Sequence, residues 1–318
     1  MTDQQSQFPS TVSSQGRAAG GQHGGTPANV VKLDPAHPDP AVIARAAAII
    51  QRGGLVAFPT ETVYGLGANA LDADAVRGIF AAKRRALDDP LIVHIADAAE
   101  LSRIVSDVPE TARQLAARFW PGPLTIVLPK LPVVPDVVTA GLPTVAVRVP
   151  SHPVAQALIR AASLPIAAPS ANLFTRASAT TAAHVVEDLG DRVDLVLDGG
   201  PASHGIESTV VAVSIADPPE VRLLRPGATT PEALADALSE LDPPVPLLLG
   251  AVGKTASPGL MAKHYSPRAS LFLLTGPSSE TRPALRRAVE RGLDDGRQVG
   301  VLLVSEDAAL LGDLRHRL

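Results

Sequence analysis

The chain has 318 residues, 28 Lys and Arg against 32 Asp and Glu, and a formal net charge of −4, which gives no general attraction to nucleic acid or to an anionic membrane. It contains no cysteine, which excludes disulfides, thiolate catalysis and cysteine-ligated metals and fits a reducing compartment. Hydrophobic residues make up 46% and aromatic residues 3%, so a full but aliphatic core is expected; there is no long apolar run for a membrane helix and no apolar secretory segment, and the expected location is the cytoplasm.

Residues 1–30 are rich in Gln, Ser and Gly and read as a disordered tail. Asp39–Arg52 places Val42, Ile43, Ala46, Ala47, Ile49 and Ile50 at helical spacing before the Gly53-Gly54 stop. Leu55–Phe58 reads as a short buried strand, Asp74–Lys83 as a helix and Leu91–Ile95 as a strand. Helices are expected at Ala98–Val105 and Glu110–Trp120, and strands at Leu124–Leu128 and Thr144–Val149. A helix at Pro153–Ala162, a strand at Pro165–Ala168 and a helix at Thr181–Leu189 follow. Strands at Leu195–Leu197, Thr209–Val213 and Val221–Leu224 lead to a helix at Pro231–Leu241. The class is α/β. The spacing from Leu124 to Thr144 leaves no room for a helical crossover, so a mixed twisted sheet is expected rather than an all-parallel one. The expected division is a catalytic domain over 31–242, a proline-rich linker over 243–268 and a small βαβα piece over 269–318.

The chemistry-bearing residues gather at strand ends. Phe58–Gly67 concentrates hydroxyls, one carboxylate and two glycines after a buried strand; it reads equally as a ligand loop or as a polar turn. Lys83-Arg84-Arg85 places three cations together, which suits a phosphate, although cations also favour a helix C-terminus. His94 and Arg148 each lie inside an apolar strand, where a charge needs a partner. Pro169–Asn172, Gly205–Thr209 and Arg225–Gly227 add polar groups at further strand ends, and several such ends converging on one rim is the layout of an α/β active site. Gly250–Thr255 has the end of a phosphate-binding loop, but Leu248 stands where its first glycine belongs, so a flexible linker is the plainer reading. There is no His-Glu-x-x-His or Gly-x-Ser-x-Gly, so neither a built-in zinc site nor a serine elbow is expected.

Taken together, Phe58–Gly67, Lys83–His94, Phe119–Thr125, Thr144–Val149, Pro169–Asn172, Gly205–Val210 and Leu224–Gly227 resemble, in order and spacing, the YrdC/Sua5 family of threonylcarbamoyl-AMP synthases. The resemblance spans about residues 31–242, and Ser257–Gly259 with His264–Pro267 is similar to the linker of the longer, Sua5-type members. It implies a twisted mixed sheet around an open cavity, and a nucleotidyltransferase that makes threonylcarbamoyl-AMP and pyrophosphate from L-threonine, bicarbonate and ATP with Mg²⁺. The product is then passed to a tRNA threonylcarbamoyl transferase, which modifies adenosine 37 of tRNAs reading ANN codons.

By motif position the resemblance assigns Thr62, His94, Arg148, Ser208 and the backbone of Ala168 to threonine, with Arg148 facing its carboxylate. It assigns Arg85, Asp89, Thr144, Ser170, Ser178 and Arg225 to ATP, with Lys83 and Arg85 as the catalytic cations near the phosphates. Two positions depart from the pattern: Ala86 replaces a proline and Asp89 an asparagine, and the extra charge of Asp89 is expected to weaken ATP binding. Ala262 stands where some family linkers carry an ATP-touching tyrosine, and the last domain is shorter than in Sua5-type members, so an incomplete C-terminal domain is expected. Two other readings compete. An RNA-binding module of this type conflicts with the acidic charge and scarce aromatics, which leave at most weak RNA contact. A carbamoyl-transferring maturation factor conflicts with the absence of cysteine for zinc fingers.

Overall fold

The computed structural model describes residues 29–216, 218–250, 267 and 269–317. The expectations for residues 1–28, for most of Gly250–Thr255, and for Ser257–Gly259, Ala262 and His264–Ser266 lie outside the described residues. The chain divides into two compact units, Met1–Ser266 and Pro267–Leu318.

The first unit holds β1 (Val30–Lys32), α1 (Pro40–Gln51), β2 (Val56–Phe58), β3 (Gly65–Asn69), α2 (Ala73–Lys83), β4 (Ile92–His94), α3 (Glu110–Phe119), β5 (Leu124–Pro129), α4 (Asp136–Thr139) and β6 (Thr144–Arg148). It continues with α5 (Pro153–Ala162), β7 (Ile166–Ala167), α6 (Ala182–Leu189), β8 (Leu195–Asp198), β9 (Thr209–Val213), β10 (Val221–Arg225), α7 (Pro231–Ser239) and β11 (Leu247–Leu249). Local chemistry sets the helix starts: the Asp39 carboxylate accepts from Ala41 N, and that of Asp72 from Asp74 N and Ala75 N. Pro40 and Pro153 open α1 and α5, where a missing N–H costs nothing.

The strands form one 11-stranded sheet in the order β1-β8-β2-β3-β7-β4-β6-β5-β9-β10-β11. Five parallel pairs (β1/β8, β2/β8, β4/β6, β5/β9, β10/β11) and five antiparallel ones (β2/β3, β3/β7, β4/β7, β5/β6, β9/β10) make the sheet mixed, as the short connections require. Side chains alternate faces along each strand. Ala57, Ala167 and Val196 join the main core, while their neighbours Phe58, Ile166 and Leu195 join a second core that α1 and α5 help to build. Farther along the sheet the second face is different. Ile92, Val127, Ala146, Val210 and Leu224 form a small cluster of strand residues alone, with no helix residue in it. Among the described residues, that half of the sheet has one face without a helix-built core, and the cavity lies on that face.

The structure corrects the sequence reading at several places. Gly65–Asn69 is a strand, β3, hairpinned to β2, although Gly-Leu-Gly-Ala-Asn has poor strand propensity. Gly67 is required by packing: a Cβ there would come within 2.7 Å of Phe58 and 2.8 Å of Ile166. The segment 243–268, read as a linker, contains β11, whose leucines pair in parallel with β10. In the second unit the expected βαβα order is not formed. It has α8 (Ser278–Asp294) and a 3-10 segment (Ser305–Arg317) around a small core of Val289, Leu311 and Leu314. The two segments read as strands, 270–274 and 298–304, have no ladder partner among the described residues, and Leu271, Phe272, Leu273, Leu302 and Val304 are exposed. A strand pattern needs a neighbouring strand to complete its hydrogen bonds.

Candidate active site

The site is built where β4, β6, β9 and β10 end. β4 and β6 run parallel with His94 opposite Arg148, and strand alternation puts both on the face of Ile92 and Ala146, the face without a helix-built core. The loop from Pro59 to Tyr64 crosses these strand ends and is fixed by its backbone. Tyr64 N donates to Ala179 O, Ala171 N to Tyr64 O, His204 N to Glu61 O and Gly205 N to Thr62 O. Thr60 Oγ1 donates to Val63 O at 2.6 Å and meets Thr62 Oγ1 at 2.9 Å. The loop is a rigid hub to which the 169–171, 179–180 and 202–205 segments are tied.

Arg148 is held at three points. Its Nε donates to Gly122 O at 3.1 Å, Nη1 to Thr62 Oγ1 at 3.0 Å and Nη2 to Glu61 Oε1 at 2.6 Å. Glu61 Oε2 accepts from Ser151 N at 3.1 Å. Arg148 and Glu61 are both buried. Burial pushes the Glu61 carboxyl up, but the charge and hydrogen bond of Arg148 overcome it and hold the group below its usual range. His94 is also buried; desolvation first, and then the Arg148 charge, push its imidazole down to about 3, so the ring is neutral at pH 7. Its Nδ1 has no hydrogen-bond partner, and its ring meets Phe58 edge-on at 6.3 Å.

On the other side, Arg225 Nη2 donates to Ser208 O at 2.8 Å and to Ser208 Oγ at 3.2 Å, and Ser208 Oγ lies 2.7 Å from Thr125 Oγ1. Gly227 allows this close approach: a Cβ there would lie 2.4 Å from Glu207 O and 2.6 Å from Thr209 N. Arg85 pairs with Asp89 at 2.8 Å, donates to the Pro90 carbonyl at 2.9 Å and lies 5.7 Å over the Phe174 ring.

These groups face one open cavity. Thr62, His94, Arg148 and Ser208 line it together with Arg85, Ser170 and Arg225, so seven of the sequence-predicted residues converge. Others do not line it. Thr144 opens β6, four residues before Arg148, and pairs with Pro129. Ala168 N is used by Ile92 O. Ser178 donates to the carboxylate of Glu207, a residue that does line the cavity. Asp89, expected along ATP, is buried against Arg85. Lys83, expected near the phosphates, is instead 1% exposed and donates Nζ to the carbonyls of Ser170 and Asn172, the latter at 2.6 Å. Desolvation, and then the Arg85 charge, hold its ammonium well below the ordinary lysine value. Sequence reasoning missed Glu61 and Glu207 as functional groups. Each sits inside a motif that was singled out, but only tertiary packing pairs Glu61 with Arg148 or turns Glu207 into the cavity.

Three comparisons bear on this site. A family model described as "Telomere recombination", covering Sua5, YciO and YrdC proteins, matches residues 48–227, and a model described as "Threonylcarbamoyl-AMP synthase, C-terminal domain" matches 229–317. The threonylcarbamoyl-AMP synthase of Pyrococcus abyssi is 46% identical over 257 residues, 81% of this chain and 75% of that protein. The threonylcarbamoyl-AMP synthase of Bacillus subtilis is 48% identical over 272 residues, 84% of this chain and 75% of that protein. Among solved structures, P. abyssi Sua5 complexed with L-threonine superposes with a TM-score of 0.78 at 40% identity, over 90% of this chain and 88% of that one. With a family model matched over more than half of the chain and a relative 46% identical over 81% of it, the chain belongs to the Sua5/YciO/YrdC family.

Proposed function

We propose that this chain is an L-threonylcarbamoyladenylate synthase: it joins L-threonine, bicarbonate and ATP into threonylcarbamoyl-AMP and releases pyrophosphate. The observation that carries the reading is one cavity in which Thr62, His94, Arg148 and Ser208 meet Arg85, Ser170 and Arg225, in a chain 46% identical to a synthase over four-fifths of its length.

The chemistry asks for positioning more than for covalent catalysis. The threonine amine bonds to the carbon of bicarbonate, a C–O bond breaks and water leaves, giving a carbamate that is short-lived in water. A carbamate oxygen then attacks the α-phosphorus of ATP, the bond to the bridging oxygen breaks, and pyrophosphate leaves. Holding the two partners in line is worth several orders of magnitude in rate. Arg148, preset by Glu61 and Gly122, offers its remaining N–H groups to the threonine carboxylate. Thr62, Ser208 and the unpartnered Nδ1 of His94 are the hydroxyl and imidazole groups available to the amine, the carbamate and the threonine hydroxyl. The depressed basicity of His94 favours binding over proton abstraction. Arg85 and Arg225 supply the cationic walls for the triphosphate and for the charge that grows on pyrophosphate. Mg²⁺ enters with ATP as part of the substrate. Among the described residues no cluster of three or more His, Asp or Glu is arranged to hold a metal by itself. Glu207 lines the cavity, and one carboxylate added to phosphate oxygens and water is a normal magnesium environment.

Downstream, the product suits transfer to adenosine 37 of tRNAs reading ANN codons by a separate transferase. Among the described residues no helix is long and apolar enough to cross a membrane. The decisive experiment incubates the protein with MgATP, labelled bicarbonate and single amino acids and follows pyrophosphate. Release that depends on threonine, with no RNA present, is expected. Release indifferent to threonine, or requiring RNA, refutes the reading.

A further inference from the structure

Lys83 lies in the first cationic motif, yet its side chain is turned away from the cavity. It is 1% exposed, and its Nζ donates to two backbone carbonyls, Ser170 O and Asn172 O at 2.6 Å. The main chain returns the link: Phe174 N donates to Lys83 O at 2.9 Å. Lys83 is the last residue of α2, and Arg84 ends the helix in the left-handed region at φ 53°. The ammonium is therefore anchored to a rigid element, two residues before Arg85, which lines the cavity.

The segment it grips has little structure of its own. Residues 168–181 contain no helix and, beyond one isolated bridge between Gly65 and Ser170, no strand. Around the gripped turn itself the other ties are Leu66 N to Pro169 O, Ala171 N to Tyr64 O, Leu173 N and the Arg176 guanidinium to Asp188, and the Asn172 side chain to the carbonyls of Leu173 and Arg176; farther on, Tyr64 N donates to Ala179 O and Ser178 to Glu207. Two carbonyls two residues apart, pointing at one ammonium, define the turn that presents Ser170 to the cavity. A buried ammonium repays its desolvation only through such bonds, so the turn and the lysine depend on each other.

We propose that Lys83 is a positioning residue, not a phosphate ligand: it clamps the Ser170–Asn172 turn to the end of α2 and acts on ATP through Ser170. The Lys-x-Arg and Ser-x-Asn strings are then one device, with the lysine holding the backbone and the arginine and serine facing the nucleotide. This rests on the reading that the cavity binds ATP.

A double-mutant cycle tests it, with ATP affinity measured by calorimetry on the full chain for Lys83→Met, Ser170→Ala and the pair. Each single change is expected to weaken ATP about tenfold, and the pair no more than the worse single, because contacts acting as one unit are not additive. Threonine affinity should stay within about threefold in all three, a control that general unfolding would not pass. Losses that multiply to about a hundredfold mean an independent phosphate contact and overturn the proposal, as does Lys83→Met without effect or Ser170→Ala without effect. Hydrogen exchange separates this from failure of the ATP reading itself. Without nucleotide, Lys83→Met should speed exchange of amides 171–176 while leaving β4 and β6 protected; unchanged exchange there overturns the clamp even if ATP binds. Should Lys83→Met fold poorly, Lys83→Gln, which keeps an N–H donor, is expected to restore protection in part, and no restoration counts against the clamp.

Discussion

Arg148 has committed three hydrogen bonds before any substrate arrives, and Glu61 neutralises its charge at 2.6 Å. What remains for threonine is geometry rather than raw charge: a planar fork locked in orientation. Arg148→Lys keeps the charge and loses the fork, so threonine affinity measured by calorimetry should fall about tenfold or more while ATP affinity changes little. His94 adds a pH signature. Its folded value of about 3 lies below its unfolded value, so as pH falls below about 6.5 the unfolded chain takes up a proton that the folded chain refuses. Stability is complete above that pH and declines towards 3, with a limiting slope of about 1.4 kcal/mol per pH unit. Denaturant titrations between pH 7 and 5 should show that His94→Gln flattens this slope; the Glu61 carboxyl acts in the same direction, but only below its own ordinary value near 4.5. Asp89→Asn removes the carboxylate that pairs with Arg85, while Arg85 keeps the Asp89 and Pro90 carbonyls as acceptors. ATP should bind several-fold tighter, the magnesium requirement should not change, and the melting temperature should drop as a buried ion pair is lost.

The elements matter because the ends of β9, β10 and β5 must meet within hydrogen-bond reach, Ser208 touching both Arg225 and Thr125. The end of β10 and the start of β9 touch through Arg225 and Ser208, and Gly227 makes room for the contact. The atoms a Cβ would strike are backbone, Glu207 O, Ser208 C and Thr209 N, so they cannot rotate away. Gly227→Ala should cost about 1–3 kcal/mol in denaturant unfolding and weaken threonine and ATP together, since one shift displaces both Ser208 and Arg225. Most elements were legible in the sequence because their signals are local: Asp39 and Asp72 as caps, Pro40 and Pro153 at helix starts, and apolar runs for β4, β6 and β9. β3 was not, because Gly65 and Gly67 carry no strand signal; pairing with β2 and β7 overrides weak propensity. β11 was hidden among prolines for the same reason, and 270–274 misled in reverse, since a strand pattern without a partner remains unpaired.

At the scale of the whole molecule, the large cores lie in the first unit, and among the described residues of the second the buried hydrophobic residues are Val289, Leu311 and Leu314. A unit of that size with so small a core is marginal. Calorimetry should give two transitions, and deletion of residues 267–318 should abolish the lower one and leave the upper within a few degrees; a single unchanged transition would contradict this. The residue types of the site, their order along the chain and the mixed character of the sheet were determined by the sequence alone, because motif spacing and connection lengths are properties of the chain. Which of those residues face substrate was decided only by tertiary structure. Strand alternation and, among the described residues, the absence of a helix-built core over β4, β6 and β9 turn His94, Arg148 and Ser208 into one cavity, while packing buries Lys83 away from it, where the cost of an unpaired charge is met by two carbonyls.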